Sequence, residues 1–279
     1  MRRRLLILVA AVALALAVVV PVLAITGGQP DGDGHPYVGM ILGWLADDGA
    51  VMCSGTLIRE DVVLTAGHCT YAFDAYDVVA VEVSFDSVAW PGETWYTAKS
   101  WETHPGYVDA DWPFTLDYGL VFLESAVVGI IPANLPEAGV LPEKIGTTGQ
   151  TSWRFLDVGY GQNGVIVGGG PPIGNFDYVR RVSVQRYHPG KGAVGTQDPN
   201  WFVLQNAPSD QHGGGCPGDS GSGIFPDAED RFGDTVLAVH GGGYHVGYQG
   251  QLCGRVTSLN FRVDIPQVLD WIAEVSPES

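Results

Sequence analysis

Positive charge is scarce in this 279-residue chain: 14 Lys and Arg stand against 31 Asp and Glu, a formal net charge of -17 at pH 7. So acidic a surface repels phosphate backbones, which argues against a nucleic-acid partner. Charged residues of both signs make up only 16% of the chain, too few for the solvated faces of a coiled coil or helical bundle. Cysteine is sparse as well. There are four, Cys53, Cys69, Cys216 and Cys253, with no CxxC pair and no histidines at ligand spacing, so zinc is disfavoured and no metal is expected. What is plentiful is glycine, at 39, and proline, at 18, alongside 46% hydrophobic residues. β-Branched and aromatic residues run throughout, which excludes disorder. The balance fits a loop-rich, all-β chain with a sizeable core, in one large domain or two small ones.

Residues 1–24 read as an export signal. Arg2, Arg3 and Arg4 form a positive n-region, Leu5 to Val20 are sixteen consecutive apolar residues, Pro21 breaks the helix, and Val22-Leu23-Ala24 offers a cleavage site. An uncleaved anchor is the rival reading, since a spanning helix needs roughly 20 apolar residues. Cleavage would take the formal net charge from -17 to -20 by removing the three arginines. An even cysteine count agrees with export to a secreted, extracellular location, although four cysteines allow three pairings.

After residue 35, period-two alternation recurs: Val51, Cys53, Gly55 and Leu57 on one face of a strand, Val79, Val81, Val83 and Phe85 on one face of another. Leu120–Leu123, Val182–Val184 and Val236–Val239 are further strand candidates. Asp31–Gly34, Gly168–Pro172 and Gly241–Gly243 read as turns. Only the C-terminus reads as helical: after Asp264, a candidate N-cap, Ile265, Val268, Leu269, Ile272 and Ala273 fall at helical spacing. Many short strands with one closing helix suggest β-barrels or a sandwich.

Three segments carry chemistry: Leu64-Thr65-Ala66-Gly67-His68-Cys69, Leu116-Asp117-Tyr118-Gly119-Leu120-Val121, and Gly214-Gly215-Cys216-Pro217-Gly218-Asp219-Ser220-Gly221-Ser222-Gly223. A serine hydroxyl is a poor nucleophile until an imidazole takes its proton, and the imidazole needs a buried carboxylate to fix its tautomer. His68, Asp117 and Ser220 supply these in chain order, which differs from the Ser–acid–His order of α/β-hydrolases. Asp74, Asp77 and Asp111 also lie between His68 and Ser220, but only Asp117 leads directly into an apolar strand. Gly218 and Ser220 N–H groups are the candidate oxyanion donors. His35, His104, His188, His212 and His245 read as turn or surface residues.

Together these blocks resemble the chymotrypsin (trypsin-like) family of serine endopeptidases, with Ile25-Thr26-Gly27-Gly28 similar to its mature N-terminus. The resemblance implies two six-stranded antiparallel β-barrels with the active site between them and a C-terminal helix. The expected organisation is a signal peptide at 1–24 and one protease domain at 25–279. Within it, a first barrel would take about 25–140, a second about 141–263 and the helix about 264–275. It also implies disulfides Cys53–Cys69 and Cys216–Cys253, each typically worth about 2–4 kcal/mol, and an activating ion pair between the Ile25 amine and Asp219. Gly214, Gly215 and Gly241 would shape a neutral primary pocket, so cleavage after Arg or Lys is not expected. No cofactor is implied; protein or peptide substrates are.

The match departs in places. Ser222-Gly223 stands where the family has Gly-Pro, and Val239-His240-Gly241 where it commonly has Ser-Trp-Gly, removing a hydroxyl that could bond Asp117 and an indole beneath the substrate. The stretch 145–200 aligns poorly. The alternatives are a catalytically weak or inactive homologue acting as a protein-binding module, and an esterase using the same triad.

Overall fold

Residues that alternate between β-branched or aromatic and small or polar side chains form strands here because each strand has two faces to bury. The computed structural model describes residues 28–92, 94–141, 154–165, 173–187, 200–205, 214–227, 233–244 and 257–277. The leader, Ile25, Gly168–Pro172, His188, His212, His245, Cys253 and much of 145–200 lie outside the described residues.

A two-residue strand, β1 (Gln29–Pro30), precedes six strands: β2 (Val38–Trp44), β3 (Ala50–Arg59), β4 (Val62–Thr65), β5 (Ala80–Ser84), β6 (Tyr96–Thr103) and β7 (Gly119–Leu123). These close into an antiparallel barrel of order β2-β3-β4-β7-β6-β5, the seam made by β2 and β5 with Leu42 opposite Glu82. Closure leaves no open edge. Met40, Ile41, Leu57, Val63, Val83 and Leu120 fill the core, each worth about 1.5–3 kcal/mol on burial.

The second barrel uses β8 (Arg154–Gly159), followed by a hairpin of β9 (Asn163–Val165) and β10 (Ile173–Asn175). It continues with β11 (Arg181–Tyr187), β12 (Trp201–Gln205), β13 (Gly223–Pro226), β14 (Ala238–Tyr244) and β15 (Thr257–Arg262). Its order is β11-β12-β15-β14-β13-β8, closed by β8 against β11, with β1 added at β11. The fold is therefore two closed six-stranded antiparallel barrels, as the resemblance implied.

Two helices complete the described chain, α1 (Gly67–Ala75) and α2 (Pro266–Val275). α2 begins one residue later than the sequence indicated: Ile265 is its N-cap and Pro266 its first residue. Asp264 instead turns inward, accepting the Leu141 N–H at 2.8 Å and the Arg262 guanidinium at 2.9 Å. Val268, Trp271 and Ile272 are the buried face of α2, and Trp271 packs edge-on against His104 of the first barrel, 4.8 Å between ring centres. His104 is thus buried rather than a surface residue, and burial holds its pKa below the ordinary imidazole value.

β3 explains why the barrels sit together. Both of its faces are buried from Cys53 to Ile58, since one face fills the first barrel while Ser54 meets the second. Ser54 Oγ donates to Gly218 O at 2.9 Å and accepts the Tyr160 N–H at 3.0 Å. Arg180, just before β11, is nearly inaccessible; it pairs with Asp31 at 2.9 Å and donates to Phe85 O at 2.8 Å.

Gly241–Gly243 belong to β14, not to a turn. The register against β15 shifts between His240 and Gly242, a bulge that glycine permits because Gly242 has φ +155°. A Cβ on Gly241 would collide with the Phe261 ring.

Candidate active site

Asp117 lies two residues before β7 and is fully buried. A buried carboxylate costs several kcal/mol unless its oxygens are saturated. Here they are. Oδ1 accepts the backbone N–H of His68 at 2.7 Å, and the His68 Nδ1 stands 2.9 Å from Oδ2 and 3.2 Å from Oδ1. His68 is the second residue of α1, so its N–H is one of the donors a helix start leaves unbonded, and no side chain at Ala66 caps them. Asp117 supplies that acceptor from another element and places negative charge at the positive end of the helix. Burial works against a charged His68 ring, but the charge and hydrogen bond of Asp117 outweigh it, and the pKa is raised.

Ser220 sits in a tight turn whose Cys216 O accepts the Asp219 N–H at 2.9 Å and whose Asp219 O accepts the Ser222 N–H at 2.8 Å. Gly218 at φ +98° and Gly221 at φ +84° occupy the left-handed region. The first barrel grips this turn: the Ser54 N–H donates to Ser220 O at 2.8 Å, and Cys69 Sγ lies 3.7 Å from the same oxygen. The residue next to His68 thus touches the Ser220 main chain. The disulfide Cys53–Cys69 is formed, tying β3 to α1. Among the described residues Ser220 Oγ makes no hydrogen bond to His68, and the Gly218 and Ser220 N–H groups have no acceptor.

Asp219 is fully buried. Its Oδ1 accepts the Gly161 N–H at 2.7 Å and its Oδ2 the Cys216 N–H at 2.9 Å. Burial, with the charge of Asp157, pushes its pKa well above the usual carboxylate range. Ile25 and Cys253, the expected partners of Asp219 and Cys216, lie outside the described residues.

Gly214 and Gly215 are buried, and a Cβ on Gly215 would overlap the His240 ring. His240 therefore does not form a surface beneath substrate. Its ring lies inside the second barrel, Nδ1 3.1 Å from Asp157 Oδ2. Because Nδ1 is not aligned for a hydrogen bond, this contact is an ion-pair approach. Val239 faces the core, and the residue beside Asp117 is Gly241, whose Cβ would stand 3.3 Å from Oδ2. The hydroxyl thought missing at 239 is thus missing at 241.

Three side chains take places that the motif reading did not give them: Trp112, whose indole N–H donates to Asp117 Oδ2 at 3.2 Å, and Asp157 and His240, which meet inside the second barrel. The last two had a signal, each being a charged or ionisable group set against an apolar strand run. Trp112 had none.

A family model described as Trypsin matches residues 25–272. Trypsin epsilon of Drosophila erecta is 24% identical over 293 residues, spanning 95% of this chain and 99% of that protein. The solved structure of an HL collagenase shares the fold with a TM-score of 0.65 at 19% identity, over 89% of this chain and 96% of that one.

Proposed function

Because the chain belongs to the trypsin family, we propose that it is a serine endopeptidase that cleaves peptide bonds through an acyl-enzyme on Ser220. One observation carries the reading: a fully buried Asp117 binds both the backbone and the ring of His68, while the element bearing His68 abuts the Ser220 turn. His68 Nε2 would take the Ser220 proton as Oγ attacks the scissile carbonyl, with Asp117 holding the Nδ1 proton and stabilising the imidazolium. The oxyanion would be received by the Gly218 and Ser220 N–H groups, both without an acceptor among the described residues. His68 then returns the proton to the departing amine, and water repeats the sequence on the ester.

The substrate pocket would have Gly214 and Gly215 at its base and the Gly241–Gly243 stretch along one wall. No carboxylate stands at Gly214, and the group directly behind Gly215 is the His240 ring, so a Lys or Arg side chain would find no carboxylate in direct contact there. Export would expose the Ile25 amine and place the enzyme outside the cell.

A single experiment tests the reading: intact mass of the exported protein before and after a fluorophosphonate, followed by turnover of peptide amides and esters ending in apolar, aromatic, acidic or basic residues. One adduct on Ser220, with amide cleavage faster after apolar or aromatic residues than after Arg or Lys, is the expected outcome. No adduct on a chain beginning at Ile25 would favour a binding protein, and ester turnover without amide turnover an esterase.

A further inference from the structure

Asp117 has one more partner than the His68 ring and backbone supply, and it comes from outside every motif. Trp112 follows a single 3-10 turn, Asp109–Asp111, in the loop between β6 and β7. Its indole N–H reaches Asp117 Oδ2 at 3.2 Å, the oxygen that also takes the shorter His68 Nδ1 contact at 2.9 Å. Gly241 of the second barrel lies near that oxygen, 3.3 Å from where its Cβ would stand, but offers no side-chain donor. Nor could it acquire one by a simple substitution, because the Phe261 ring fills the space a Cβ would need. The far edge of the same indole covers β14, with Trp112 Cζ2 3.1 Å from where a Cβ of Gly242 would lie. One side chain of the first barrel therefore fills the place of a donor and of a ring that the glycine run of β14 lacks.

We infer that Trp112 is a positioning residue for the Asp117–His68 pair: its N–H fixes Oδ2 and draws charge from it, and its ring closes the gap over Gly241 and Gly242. The catalytic consequence rests on the proposed triad; the effect on His68 does not. A donor on Oδ2 disperses the carboxylate charge and so weakens its hold on a protonated imidazole. Removing the donor while keeping a ring should leave more charge facing Nδ1 and raise the His68 pKa further.

The test compares the full chain with Trp112→Phe. His68 ring titration is followed by NMR, and the pH dependence of kcat/KM is measured alongside. The expected result is a His68 midpoint higher by about half a unit to one unit, roughly a 3- to 10-fold change in proton affinity. With it, kcat should fall about tenfold with KM changed less than about twofold. A His68 midpoint unchanged in the variant overturns the inference, even if activity falls, because packing alone would then explain the loss. A shifted midpoint in two inactive proteins would uphold the positioning role and remove the protease reading instead. Should Trp112→Phe fail to fold, 3-benzothienylalanine at position 112, which keeps the indole shape without its N–H, gives the same comparison.

Discussion

His240 is an imidazole with no solvent to speak of, set among two carboxylates. Asp157 of β8 takes the Ser222 hydroxyl at 2.5 Å and the Gln185 amide at 2.8 Å; Ser258 donates to Gln185 Oε1 at 2.9 Å, and Asn260 Nδ2 donates to Ser258 Oγ at 3.0 Å. Desolvation disfavours a charged His240, but Asp157 first, then Asp219 and Asn260, raise its pKa. A raised folded pKa means that its stabilising contribution is complete below the unfolded value, about 6.5, and is lost as pH rises through the folded one. Asp219, also raised, acts with the same sign from a lower starting pH. Melting temperature should therefore decline from about pH 6.5 into the alkaline range in the wild type, and His240→Gln should flatten that decline while lowering stability by about 3–5 kcal/mol near pH 6. Calorimetry across the range checks both; a wild type and a variant with parallel curves would remove the charge from His240. That Asp157 and His240 meet was not legible, since two interruptions of apolar runs do not say which faces which until a barrel closes.

Among the elements, α1 shows most plainly what local sequence omits. It has no side-chain N-cap, no acidic residue in its first turn, and Gly67 and Thr70 among its nine residues, so propensity alone would not form it. Tertiary contacts hold it, among them the Cys53–Cys69 bridge, the Asp117 carboxylate on the His68 N–H, the Thr70 hydroxyl against that of Thr103 and the buried Phe73 ring. β3, by contrast, was legible because alternation is a local property, and the glycines of β14 were misread because a bulge over Phe261 and Asp117 depends on partners far along the chain. The bridge joins residues 16 apart, a loop for which the chain-entropy estimate is about 3 kcal/mol. Cys53→Ser with Cys69→Ser should lower the unfolding free energy read from urea titration by about that amount. Since α1 carries His68, Ser220 labelling should slow by more than the folded fraction accounts for; equal slowing would mean that the helix keeps its place without the bridge.

At the scale of the whole molecule, the motifs marked the candidate site residues, but their electrostatic balance emerges only when the Ser220 turn and the second barrel are joined. Among the described residues, one imidazole faces two buried carboxylates, Asp157 and Asp219. Burial is the largest cause of the raised Asp219 pKa, the charge of Asp157 the next, and His240 with the Cys216 and Gly161 N–H groups only partly offsets them. A second cation would complete the balance, and we propose the Ile25 amine that removal of residues 1–24 would create. Two forms of the chain separate the effects, one beginning at Ile25 and one retaining Ala24. In the longer form, Asp219 contributes stability below about pH 4 that is lost as pH rises through its raised folded pKa. In the Ile25 form the ammonium depresses the Asp219 pKa and its own rises above about 8, so stability is kept until the amine deprotonates. The two melting curves should coincide only at acid pH below the depressed Asp219 pKa, diverge in favour of the Ile25 form from about pH 4 towards pH 8, and converge again at alkaline pH, with Ser220 labelling following the same difference. Curves that stay parallel from pH 4 to pH 10 would mean that no cation reaches Asp219 from the N-terminus, and activation by export would fall with the ion pair.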